Sequence, residues 1–169
     1  DAAIPALQRL LRRETEPVRA AAAEALGAIG GDAARTTLAN ILNGIPTDVL
    51  VRDPADIVRA AAATALGAIG GDDAISALTK ALVGSAKDGS PIVRVAAAAA
   101  LGRIGAGNSD AIDALVVAFA DTEKSVRSAA ATALGRTGAG NSDAISALIV
   151  ALADTEKSVR SAAATALGR

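Results

Sequence analysis

Apolar residues recur along the chain in two alternating signatures. In the stretch Val126-Arg127-Ser128-Ala129-Ala130-Ala131-Thr132-Ala133-Leu134-Gly135, helical spacing puts Val126, Ala130, Ala133, Leu134 and Thr137 on one face. Just before it, residues 110–120 place Ile112, Leu115, Val116 and Phe119 on one stripe, and residues 144–153 repeat that stripe with Ile145, Leu148, Ile149 and Leu152. The pattern predicts a pair of helices, A and then B, each about three turns long. Helices this short are marginal alone, so stacking on neighbours must supply most of their stability.

The pair is repeated. Val-Arg, a small residue, an Ala run and Leu-Gly begin at Val18, Val58, Val93, Val126 and Val159, spaced 40, 35, 33 and 33 residues apart. A period near 33 belongs to helical-pair solenoids or to ankyrin arrays, and the Thr-Pro-Leu-His hairpin of the latter is absent. The expectation is one all-α, right-handed solenoid over 1–169, with units near 1–30, 31–70, 71–105, 106–138 and 139–169. The final two, 105–136 and 138–169, differ only at Asp113/Ser146, Val116/Ile149 and Phe119/Leu152.

Punctuation agrees with this reading. Gly30-Gly31, Gly70-Gly71 and Gly105-Ala106-Gly107 follow helix B and can supply left-handed helix ends, while Asn108 or Ser109 can cap the next helix. Asp121 or Thr122 can accept backbone amides at the start of helix B. Glu123 stands four residues before Arg127, a spacing for a helix-surface ion pair.

Composition narrows the chemistry. The chain is 51% hydrophobic, Phe119 is its only aromatic residue, and it has no Trp, Tyr, Met, Cys or His. The usual general base, thiol nucleophile, disulfides and nitrogen or sulfur metal ligands are therefore missing. Ser125 beside Lys124 and Ser158 beside Lys157 are consecutive turn residues without an oxyanion motif, and they are read as solvated. No catalytic, cofactor-binding or metal-binding residue is assigned, no cofactor is expected, and the chain is read as a non-enzyme. A net charge of −1 gives no global field for nucleic acid, and stacking aromatics are lacking too. No apolar run is long enough to span a bilayer, so no membrane insertion is expected. Absent Cys suits a reducing compartment, which points to the cytoplasm.

The units resemble HEAT repeats of the phycobilisome-lyase-like class. The resemblance rests on a short amphipathic helix, an Asp-containing turn, and Val-Arg-x-Ala-Ala-x-x-Ala-Leu-Gly, matched five times across the whole chain. It implies that the turn Asp and the helix B Arg form a hydrogen-bonded ladder. Carried over, the ladder residues are Asp53 and Arg59, Asp88 and Arg94, Asp121 and Arg127, and Asp154 and Arg160. The first unit departs, with Arg13 at the Asp position and Glu14 beside it, so Arg19 is expected to lack its partner. The resemblance also implies, as an alternative function, a subunit of a bilin lyase or a phycobiliprotein-handling factor. Against that stands the lack of aromatic, His or Cys residues to line a bilin site. A metal-dependent HEAT-like hydroxylase would need His-Glu pairs, which a chain without His lacks.

In such a solenoid helix B is expected to line the concave side. Its exposed stripe reads Ala20, Ala60, Val95, Ser128 and Ser161; then Glu24, Thr64, Ala99, Thr132 and Thr165; then Ala28, Ala68, Arg103, Arg136 and Arg169. Candidate partner contacts on it are Thr64, Arg103, Ser128, Thr132, Arg136, Ser161, Thr165 and Arg169. The Arg row can grip acidic groups or serve only as helix-end compensation. The functional expectation is a scaffold or adaptor holding a protein partner on this face. Two features break the average: Val117 and Val150 replace Arg9, Asn40 and Lys80 on helix A, and the connection 43–56 is long, with Arg35 at a core Ile position before it. Apolar ends leave end-to-end self-association open.

Overall fold

The computed structural model describes residues 2–43, 53, 55–84 and 87–168. Among them lie ten α-helices in consecutive pairs: α1 (Ala3–Arg13) and α2 (Glu16–Ile29), α3 (Gly31–Asn43) and α4 (Asp56–Ile69), α5 (Asp72–Leu82) and α6 (Pro91–Ile104), α7 (Ser109–Val117) and α8 (Lys124–Thr137), and α9 (Ser142–Ala151) and α10 (Lys157–Leu167). A 3₁₀ turn, Ala118–Ala120, closes α7. The odd-numbered helices are the A helices of the sequence reading, and the even-numbered ones are the B helices. The molecule is an all-α solenoid.

One core runs through all five pairs. Leu26, Leu66, Leu101 and Leu134 on the B helices and Leu38, Leu78, Leu115 and Leu148 on the A helices are buried in it, with Ala between them. Each B helix packs closely on the next B helix, whereas neighbouring A helices touch more sparsely. Closer spacing on one side bends a stack toward that side, so the B helices form the inner, concave surface.

Ala and Gly explain the close B packing. At Gly27, Gly67, Gly102 and Gly135 an added Cβ would stand 2.7 to 2.8 Å from the Cβ of Ala65, Ala100, Ala133 and Ala166 on the following B helix. No side chain fits there, and the backbones approach until Ala touches Gly.

Helix ends differ along the chain. Gly30 and Gly70 end α2 and α4 at φ of 72° and 74°, the left-handed turn expected of them. In Gly105-Ala106-Gly107 the left-handed residue is Gly107, at φ of 71°, with Gly140 matching it at 77°, while Gly105 and Gly138 themselves sit at −91° and −97°. They are held small by crowding instead, since an added Cβ would lie 2.6 and 2.5 Å from Ala111 and Ala144. Asn108 and Asn141 cap α7 and α9 through their side-chain oxygens. Arg35, at the core Ile position, stays half-buried by turning its head outward to Asp32, 2.9 Å away.

Candidate functional site

The turn before each B helix is built around one carboxylate. Oδ1 of Asp53, Asp88, Asp121 and Asp154 accepts the backbone N–H two residues on, at Ala55, Ser90, Glu123 and Glu156. This Asx turn starts the helix in place of a side-chain cap at the boundary itself. The same carboxylate then receives a guanidinium fork from the preceding pair. Arg19 donates from Nε to Asp53 at 2.8 Å, Arg59 to Asp88 at 2.6 Å, Arg94 to Asp121 at 2.7 Å and Arg127 to Asp154 at 2.8 Å. Nη2 of each Arg completes the bidentate pair on Oδ1 at 2.8 to 3.0 Å.

The remaining nitrogen ties the fork to its own turn. Nη1 of Arg59, Arg94, Arg127 and Arg160 donates to the backbone oxygen of Asp53, Asp88, Asp121 and Asp154. The ladder is thus real, but each rung crosses from one pair to the next. This corrects the expectation for Arg19: it has a full carboxylate partner in Asp53, and its Nη1 uses the Glu14 carbonyl in place of an Asp turn. The surface pair from Glu123 to Arg127 is likewise replaced. Planar bidentate pairing holds the Arg127 fork on Asp154 instead.

Burial sets how firmly each rung is held. The Arg94 and Asp121 side chains are almost fully covered, while Arg127 and Asp154 retain some exposure. Burial pushes the Asp121 carboxyl up, but hydrogen bonds from Arg94 and the Glu123 amide and the charges of Arg94 and Lys87 outweigh it and hold it below the ordinary range. For Asp154 the Arg127 hydrogen bond leads, against a smaller opposing effect of burial, and the carboxyl again lies low. Hydrogen bonds to the carboxylates raise Arg19, Arg59 and Arg127 above their usual values, so these rungs stay charged.

With the Arg heads drawn into the ladder, the concave surface is left to small residues. Thr64, Ala99, Thr132 and Thr165 form an exposed row at one register of successive B helices. Their neighbours at the first register, Ala60, Val95 and Ser128, are half-buried between helices, and Ala20 is buried. Thr132, Ser161 and Thr165 come together with Ser158, Ala162 and Ala166 around a cleft of 360 Å³ between α8 and α10. Thr132 and Thr165 donate their hydroxyl protons to the carbonyls of Ser128 and Ser161, leaving hydroxyl lone pairs and methyl groups for the cleft. Ser158 was not among the sequence candidates; counting back from Ser161 by three positions would have placed it on the same face.

The three Arg of the last register diverge. Arg103 reaches back over Gly67 and donates from Nη2 to the Thr64 carbonyl at 3.0 Å, stapling α6 to α4. Arg136 is exposed and makes no hydrogen bond or ion pair among the described residues. Arg169 lies outside the described residues, as do positions 44–52 and 54 of the long connection. On the convex side Val117 and Val150 are exposed, with Val150 at 75%. Among the described residues no group of His, Cys, Asp and Glu is placed to hold a metal, and no helix is long and apolar enough to cross a membrane.

A family model for HEAT repeats matches residues 1–50, 46–135 and 117–169. A search of curated proteins finds no match. Among solved structures, the complex of CpcE and CpcF of phycocyanin lyase from Nostoc sp. PCC7120 contains a chain 28% identical to this one, with a TM-score of 0.75 over 98% of both chains. Human deoxyhypusine hydroxylase in complex with glycerol is 25% identical, with a TM-score of 0.56 over 99% of this chain and 74% of that one. A designed armadillo repeat protein in complex with the peptide (KR)4 shares the fold at 23% identity and a TM-score of 0.63, over 99% of this chain and 81% of that one. The phycobilisome-lyase-like resemblance of the Val-Arg motif is thus matched by the likeness to a lyase complex. The chain belongs to the HEAT-repeat family.

Proposed function

We propose that the chain is a non-catalytic scaffold or adaptor that holds a protein partner on its concave, B-helix face. The observation that carries this reading is the exposed row Thr64, Ala99, Thr132 and Thr165, repeated at one register and backed by rungs that hold the helices in place. Small side chains let a partner's backbone approach closely, and little side-chain entropy is lost on contact. B helices about 8 to 10 Å apart also match roughly three residues of an extended strand at about 3.3 Å each. An extended segment of a partner therefore meets one row residue per three of its own.

The test is affinity capture with the wild-type chain beside a Thr64→Arg, Thr132→Arg and Thr165→Arg triple variant. All three positions are exposed, so the variant is expected to fold. A protein retained by the wild type and lost by the folded variant supports the concave reading. Equal retention moves the site to the Val117 and Val150 face.

The likeness to the CpcE and CpcF complex over nearly the full length of both chains favours a second reading, a subunit of a bilin lyase or a phycobiliprotein-handling factor. Retention of a coloured tetrapyrrole protein in the same capture, read by visible absorbance, supports it over a general adaptor.

A further inference from the structure

One register of the concave face changes character along the stack. Immediately before the motif Val of each B helix stand Pro17, Ile57, Ile92, Ser125 and Ser158, all of them exposed. Ile57 is 51% and Ile92 56% exposed. Pairs four and five carry Ser at this register while Val126 and Val159 beside it stay fully buried, so the packing does not call for Ile there. Chain ends do not account for the exposure either. Pairs two and three are flanked on both sides, and further pairs of a solenoid would stack on its end faces and leave the concave face open. The two Ile stand at neighbouring helix starts, which Ser90 ties together by donating its hydroxyl to Asp56 at 3.0 Å.

The result is a groove with two unlike walls. Its floor is Ala60, Ala61, Val95, Ala96 and Ser128, half-buried between the helices. With about 1.5 Å of rise per residue, the Ile row lies about 5 Å to one side of that floor, and the row of Glu24, Thr64, Ala99 and Thr132 about 5 Å to the other. Glu24 on α2 and Arg136 on α8 are exposed and make no ion pair among the described residues, whereas Arg103 is tied to the Thr64 carbonyl. Side chains lean toward the N-terminus of their helix, which brings Arg136 back toward Thr132. The second wall thus has an open acid at one end and an open base at the other.

We propose that this groove takes an extended segment of a partner chain that is apolar along one edge and carries a base and an acid at the two ends of the other. The inference rests on the concave reading above and names the chemistry of its occupant. Successive side chains of an extended segment point to opposite sides, so alternate residues meet the two walls. Apolar ones cover Ile57 and Ile92, while a base beside Glu24 and an acid beside Arg136 answer the open charges. Those two charges lie three helix spacings apart, about 24–30 Å, which an extended chain spans in about eight residues.

The blocked, fluorescein-labelled peptide Lys-Ser-Thr-Leu-Ser-Leu-Thr-Ser-Asp has this pattern. In fluorescence anisotropy it is expected to bind the 169-residue chain. Ile57→Ser with Ile92→Ser, which copies pairs four and five, is expected to weaken binding about tenfold. Glu24→Lys is expected to weaken it about fivefold and to turn the preference to a peptide with Glu in place of Lys. Arg136→Glu should likewise favour Lys in place of Asp. Absence of binding overturns the proposal, as does binding indifferent to the Ile pair and to both charge reversals. If the Ile variant fails to fold, the Glu24 and Arg136 reversals decide alone. The Thr64→Arg, Thr132→Arg and Thr165→Arg variant separates the two readings. Where it blocks a peptide that ignores the other substitutions, the concave reading stands and this chemistry falls; where it too has no effect, both fall.

Discussion

The fourth and fifth helix pairs come from segments identical at all but three aligned positions, yet they live in different environments. Ile112 is 4% exposed and its counterpart Ile145 is 40% exposed. Arg127 closes on Asp154 with both forks of its guanidinium, while Arg160 holds only backbone carbonyls of its own turn. Gly135 is pressed against Ala166, whereas a Cβ added at Gly168 would touch only carbonyls of its own helix, at 3.6 and 3.8 Å. None of these residues is among the three that differ. Burial in this molecule is therefore a property of the interface between pairs rather than of the pair: each unit supplies half of a core and takes the other half from its neighbour.

Breaking equivalent positions in the two pairs measures that difference directly. The largest effect is expected for the buried rung: Asp121→Ala leaves Arg94 charged and covered, at a cost of about 3–5 kcal/mol in urea denaturation. Asp154→Ala should cost less, about 1–3 kcal/mol, because Arg127 can recover water. Arg160→Ala, which loses only exposed hydrogen bonds to two carbonyls of its own turn, should cost least, under about 1 kcal/mol. If all three substitutions cost the same, the rungs are equivalent and the contrast between the pairs collapses.

Next in size is the core stripe. Ile112→Ala is expected to cost about 2–4 kcal/mol and Ile145→Ala less, about 1–2 kcal/mol, because Ile145 already keeps 40% of its surface exposed. Smaller again is the helix contact: Gly135→Ala must push Ala166 away and should cost about 1–3 kcal/mol, whereas Gly168→Ala should be neutral or slightly stabilising in thermal unfolding.

The smallest effect is in acid. Asp121 and Asp154 titrate below their unfolded range, so their contribution is complete above a pH of about 4 and disappears as pH falls through the depressed folded values. Asp154→Asn should flatten the acid limb of a stability-against-pH curve below about pH 4 while leaving the slope near pH 7 untouched. A slope unchanged in acid would place the linkage elsewhere.

Much of this was legible in the chain. The Val-Arg motif marked all five B helices, because Val, Ala and Leu recur at one face with few competing signals, and the family resemblance it carries implied the ladder residues. What spacing could not supply was direction. An Asp six positions before an Arg reads as a pair within one unit, but the Asp is occupied by the Arg of the pair before, a neighbour about 30 residues away in sequence. For the same reason Arg19 read as partnerless although Asp53 was already in view. The open Arg row was only half legible, since Arg103 bends back onto a carbonyl that carries no side-chain signature. The Gly series was hidden as well, because a helix-ending Gly and a Gly crushed by a neighbour are the same letter.

Each rung also fastens one pair to the next at the turn that joins helix A to helix B, and with the tight B stack beside it this makes a bound edge. The A helices, touching sparsely, are the loose edge. The molecule is in this sense a book sewn along its spine: its leaves can fan apart on the convex side while the pages keep their order and spacing at the binding. Changes of curvature would then leave the spacing of the inner row intact, so the surface offered to a partner can follow a bend without losing its count.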